Sequence, residues 1–308
     1  MNNKTKAITE SAMMIGISVV IAVLANLGLM FLYVFLPFPL IILSIRRGSK
    51  YSIIACVASA IIISFYGPAN AVFYLMFGPM SVVMGYFMEK KKSSFYTILW
   101  GAVVMMISLI IMVYVSQFIT GVTIYDELEA LFSESFQLTS QLTSSADMSA
   151  DMVEKMNTTF DLVKKNALML IPFSIILFGV LEAYVTYLLM YVIGRKYKMK
   201  INPIHDITRF LLPRSFVLGF FSMYLATYFM MSLGYLNGEA LMLNIGAIGQ
   251  LALLVQGLGL VKWFMIRKKI STWFMLLVIV LLPLLGQIIV LLAFADFIFD
   301  FRHLRIKA

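Results

Sequence analysis

The 308-residue chain is 62% hydrophobic and 13% charged, with a mean hydropathy of +0.95. A soluble chain of this length is about half apolar and roughly a quarter charged, so an ordinary soluble domain is excluded. The net charge of +9 gives no indication of a nucleic-acid partner. Its basic residues sit in short clusters between apolar runs, where determinants of membrane orientation belong.

Six stretches, 11–45, 51–88, 93–125, 215–238, 240–261 and 270–295, contain no Asp, Glu, Lys or Arg. A helix crossing a bilayer needs about 20 such residues. Strands of a membrane barrel alternate apolar and polar residues, whereas these runs are apolar all round. The expected fold is all-α, a polytopic transmembrane helical bundle of eight or nine membrane segments with an external helical hairpin. The segments fall at about 11–31, 33–45, 51–66, 70–88, 95–118, 167–193, 214–235, 241–265 and 272–298.

The N-terminus is weakly basic and lacks a short apolar core followed by a cleavage site, so it reads as a retained first helix. That helix carries Ala12 and Gly16, then Ser18 and Ala22, pairs four apart that allow close helix approach. Asn26 and Asn70 are amides in apolar surroundings and need partners. The second and third segments are short, bounded by Pro37, Pro39, Arg46, Arg47, Gly67 and Pro68. They read as half-length or tilted helices buried in the bundle. The break Tyr66-Gly67-Pro68-Ala69-Asn70 is either a turn or the rim of an outward-open pocket. Cys56 is the single cysteine, so no internal disulfide forms.

The loop 119–166 holds eight acidic and three basic residues. Leu128, Leu131, Phe132 and Phe136 recur at helical spacing, as do Met148, Met152, Met156 and Phe160. With a turn over Thr139–Ser145, they predict a hairpin whose apolar stripe caps the bundle, docks a partner or lies on lipid. Glu182 reads as the one carboxylate deep within a span. A mid-membrane charge costs about 2.5–3.5 kcal/mol, so it is either a ligand or ion contact or a neutral structural acid. Asn244, Gln250 and Gln256 mark the eighth segment, with Gly246, Gly249, Gly257 and Gly259 for close packing.

An N-terminus inside puts 18 of the 24 basic residues on the cytoplasmic side and the 119–166 loop outside. The last segment is read as one span, the alternative being a hairpin broken near Pro283 and Gly286; as one span it leaves Arg302, Arg305 and Lys307 outside, against that bias. There is no HExxH, no GxSxG and no phosphate-binding G-x(4)-G-K-[ST]. Two histidines and one cysteine assemble no metal cluster. No enzyme activity, metal or cofactor is expected, and an ATP-driven process needs an ATPase from elsewhere.

Ala7 through Leu24, Pro37-Phe38-Pro39, Arg46-Arg47-Gly48, Tyr66-Gly67-Pro68 and Gly78-Pro79 resemble the YybS-like bacterial membrane family over nearly the full chain. The first six helices, roughly 7–195, are also similar to the substrate-binding subunits of energy-coupling-factor vitamin transporters. This resemblance implies a six-helix core over 1–200, with 119–166 as an insertion, and C-terminal membrane helices over 201–308. It implies that Ala12, Gly16, Ser18 and Ala22 face a transmembrane coupling subunit or another membrane protein. The expected function is a small-molecule binding or transport-related subunit in the cell membrane, with Glu182, Asn70, Asn26 and Tyr66 as candidate ligand contacts. The alternative is a non-transporting scaffold that recruits envelope or signalling proteins. The partners expected are the lipid bilayer, a membrane protein and a small-molecule ligand, with no nucleic acid.

Overall fold

A computed structural model describes residues 3–144, 150–235, 238–271 and 273–303. Every regular element among them is helical. The chain runs α1 Asn3–Asn26, a 3₁₀ segment Met30–Phe35, α2 Pro37–Arg47, α3 Ser49–Ser64, α4 Pro68–Glu89, α5 Ser94–Thr120 and α6 Ile124–Ser144. It continues as α7 Ala150–Met169, α8 Ile171–Lys196, a 3₁₀ turn Ile207–Arg209, α9 Arg214–Ser232, α10 Glu239–Arg267, α11 Trp273–Val280 and α12 Leu282–Phe299. Among the described residues, eight helical stretches are long and apolar enough to cross a membrane, the second being Met30–Arg47. The ninth expected segment is the shorter α3. The chain divides into two compact units, Met1–Lys164 with Ser174–Ile204, and Lys165–Phe173 with His205–Ala308.

In the first unit, α1 turns Ala7, Ser11, Met14, Ser18, Ala22 and Ala25 inward, a three-and-four spacing that keeps one face on the core. Ala12 and Gly16 lie on the exposed side of the same helix. Helix α2 starts with Pro37, whose fixed φ suits a first helical position. It buries Pro37 through Ile41, Leu43 and Ser44, as expected for a half-length helix inside protein. α5 and α8 approach through small residues. A Cβ on Gly101 would sit 3.4 Å from Ala183, and one on Gly179 would sit 3.1 Å from the Ala102 carbonyl oxygen.

The α6–α7 hairpin is held by its apolar stripe. Phe160 packs on Phe132 and Phe136, with ring centroids 6.1 and 4.6 Å apart, and Lys164 pairs with Glu129 at 2.6 Å. The expected turn over 139–145 is displaced, because α6 stays helical through Ser144. Thr139 and Ser140 bond back to the carbonyls of Ser135 and Gln137, so their hydroxyls support the helix. Met148 lies outside the described residues.

In the second unit the last expected span is two helices. The bend falls at Leu281, ahead of Pro283, which has no N–H to donate and crowds the preceding turn. The Leu281 and Leu285 amides still donate to Leu277 and Leu281. The chain therefore bends there while helical bonding continues. α10 packs through its glycines: a Cβ on Gly249 would meet Phe220, on Gly257 the Ile289 backbone, and on Gly259 the Ile207 carbonyl.

Candidate functional site

The sequence-predicted ligand residues occupy separate local settings. Glu182 is half-buried on α8 and accepts a hydrogen bond from Thr186, one turn on, at 3.3 Å. Asn26 donates to the Ala22 carbonyl and accepts from the Tyr33 hydroxyl at 2.6 Å. Asn70 donates to the Tyr66 carbonyl at 3.3 Å, and Tyr66 itself is exposed. The Tyr33 ring stacks on Phe77 and lies against Phe73, one turn from Asn70. Asn26 and Asn70 thus share one end of the first unit, and Glu182 is not brought to them.

A different group of polar side chains is buried at the centre of that unit. Ser18 from α1, Ser59 from α3 and Tyr74 from α4 are each at most 1% exposed. The Tyr74 hydroxyl has the Ser18 and Ser59 hydroxyls as its hydrogen-bonding neighbours, and no polar group outside this trio pairs with any of the three oxygens. The surroundings are apolar: Met80, Met84, Met105, Ala55 and Ile63 belong to the same core. Gly78 makes room, since a Cβ there would come within 2.6 Å of the Cys56 sulfur. A buried hydroxyl left unpaired costs about 1–3 kcal/mol, so the three have only one another to bond within an apolar core. Sequence reasoning placed Ser18 on a partner-facing stripe and passed over Ser59 and Tyr74. Their signal was available: Ser52 and Ser59 are seven apart, hence on one face of α3.

The second unit holds a buried charge network that the sequence reading missed. Glu182 is not the sole carboxylate within a membrane helix, because Asp296 lies in α12. Asp296 pairs with Arg302 at 2.7 Å, and neither side chain is exposed. Gln256 on α10 donates to Asp296 and to the Ala293 carbonyl, and accepts from the Leu212 amide at 3.0 Å. Arg302 also donates to the Thr208 carbonyl at 2.8 Å. Buried backbone groups need hydrogen-bond partners, and here Gln256 and Arg302 supply them for Leu212 and Thr208 of the 205–213 link. Arg302 was expected across the membrane from this link. α12 already ends at the link, since Ala293 and Asp296 bond Gln256, which holds Leu212; the left-handed Asp300 (φ 48°) then ends the helix and Arg302 meets Thr208. Nearby, Lys262 pairs with Asp206 at 3.0 Å. Burial would raise the Asp206 carboxyl, but hydrogen bonds from Lys262 and Thr208 outweigh it and hold it below its ordinary value.

Long apolar helices packed on one another define a polytopic α-helical membrane protein. A family model described as "Predicted membrane protein (DUF2232)" matches residues 11–297, and the chain belongs to that family. It is similar to "Uncharacterized protein YybS" of Bacillus subtilis (strain 168), 22% identical over 280 residues that cover 86% of each chain. No solved structure matches it. The expected YybS-like membership and multi-pass bacterial membrane location both follow from these matches.

Proposed function

We propose that the chain is a transport-related membrane subunit, without its own ATPase or catalytic activity, that binds a small polar molecule in its first unit. The observation that carries this reading is the meeting of three fully buried hydroxyls, from α1, α3 and α4, inside an apolar core with no polar partner outside the trio. These helices lie in the part of the chain that resembles vitamin-transporter binding subunits. In this reading Asn26, Asn70 and Tyr66 stand at the end by which a solute enters. Glu182 is a secondary contact on α8, and the exposed Ala12–Gly16 face of α1 meets a coupling subunit. The N-terminus is cytoplasmic and the α6–α7 hairpin external. Labelling of Glu134→Cys but not Lys198→Cys in intact cells, in a Cys56→Ser background, tests that orientation.

The test is affinity purification from native membrane, with bound small molecules identified in parallel for the wild type and Tyr74→Phe. Phenylalanine keeps the ring packing, so Tyr74→Phe should still fold, with a loss of about 1 kcal/mol at most. The expected result is a molecule retained by the wild type and lost from the variant. Equal retention by both, or none by the wild type, would remove the reading. A scaffold role is the second reading, favoured by α9, which buries only Thr227 among its 19 residues. It predicts recovered proteins rather than recovered small molecules.

A further inference from the structure

In the second unit, an open groove of about 320 Å³ runs between α9 and α10, lined by Ser215, Phe216, Phe220 and Met223 on one side and Ile245 and Ile248 on the other. Gly219 lines it on the α9 side, and a Cβ there would meet nothing within 4 Å. Its two ends differ in chemistry. The α9 start brings Arg214 beside Ser215, with Arg209 five residues earlier in the 3₁₀ turn. Both arginines are exposed. Neither guanidinium has a hydrogen bond or ion pair among the described residues, in contrast to Lys262, which is neutralised by Asp206. From Phe216 to Met223 the lining is apolar, about 10 Å at 1.5 Å per residue.

We propose that this groove is a binding site for an anionic phospholipid, with one acyl chain along Phe216, Phe220 and Met223 and the headgroup phosphate at Arg209 and Arg214. The site is amphipathic along its length, in the order in which a phospholipid is amphipathic. Guanidinium forks match phosphate oxygens, and basic positions at the cytoplasmic ends of membrane helices are where acidic headgroups gather. A partner helix fits less well. With side chains a helix is 10–12 Å across, and it brings no phosphate to the two arginines. An acyl chain is far thinner.

Native mass spectrometry of the full chain, released from phosphatidylcholine nanodiscs containing a fraction of phosphatidylglycerol of equal chain length, reads the site directly. The wild type should retain phosphatidylglycerol above its share in the disc. Each arginine contributes roughly fivefold to that preference, so Arg209→Gln/Arg214→Gln should lose most of it. Gly219→Leu, which fills the groove without meeting any neighbour, should lose the bound lipid of both kinds. All of these positions are exposed, so melting should stay at the wild-type value. Three outcomes would overturn the proposal: no preference in the wild type, an undiminished preference in both variants, or displacement of the lipid by inorganic phosphate alone. A dimer that assembles without lipid and is abolished by Gly219→Leu would assign the groove to a second copy of the chain instead.

Discussion

Arg302 and Asp296 form an ion pair at 2.7 Å with both side chains fully buried, and the same arginine holds the Thr208 carbonyl of a non-helical link. Removing one partner of a buried pair leaves an uncompensated charge and costs about 3–5 kcal/mol. Arg302→Met and Asp296→Leu should each melt well below the wild type in detergent. Replacing both with apolar residues is often neutral elsewhere, but here it also strips a donor from Thr208. The double variant should recover part of the loss and no more. Full recovery would show that the Thr208 contact contributes nothing.

Two glycines of α10 give an internal comparison. A Cβ on Gly257 would collide with the Ile289 backbone, whereas one on Gly246 meets nothing within 4 Å. Backbone cannot move aside as a flexible side chain does. Gly257→Ala should therefore destabilise by about 1–3 kcal/mol through overpacking. Gly246→Ala should be neutral, or stabilise by about 0.5–1 kcal/mol, because alanine loses less freedom in a helix. Thermal melts of the two variants in the same detergent should move apart. A common shift would contradict the α10–α12 packing.

The membrane helices were legible in the sequence because continuous apolar runs have a single cause, while the sites depend on tertiary folding that periodicity does not encode. The half-length α2 followed from Pro37, Pro39 and Arg46-Arg47. The bend at Leu281 was hinted at by Pro283, yet an apolar run on both sides read as one span. Arg302 meets Thr208 because the C-terminal end of α12, through Asp296, already lies at the link, a tertiary contact with no sequence signature. Asp296 escaped notice because it lies at the end of its run, where a carboxylate ordinarily faces water. Ser18, Ser59 and Tyr74 come from three helices, and nothing in the spacing of any one of them shows that they meet.

The Asp206–Lys262 pair makes one contribution to stability depend on pH. The Asp206 carboxyl is held below its ordinary value in the folded protein, so folding favours its ionised form. That contribution is fully present above the ordinary carboxylate range and is lost as pH falls through the lowered folded value. The side chains are 46% and 37% exposed, so the effect is small and screened by salt. Asp206→Asn should lower the melting temperature slightly near neutrality and converge with the wild type in acid. A difference that persists unchanged at low pH would assign the loss to the Thr208 cap rather than to charge.

The two small pairs on α1 point in different directions and should respond differently to bulk. Ser18 and Ala22 are buried at 0% and 2% exposure, whereas Ala12 and Gly16 are exposed and a Cβ on Gly16 meets nothing within 4 Å. Ala22→Leu must force its extra atoms into a packed core, at about 1–3 kcal/mol. Gly16→Leu adds its side chain to open space, so the isolated protein should melt as the wild type does. If the α1 face meets a coupling subunit, the same leucine blocks close helix approach and partner recovery from native membrane should fall. Melting of purified protein and recovery of partners, read side by side, separate the two effects. An equal drop in melting for both variants would place Gly16 in the core, and unchanged partner recovery for Gly16→Leu would end the case for a coupling contact on α1.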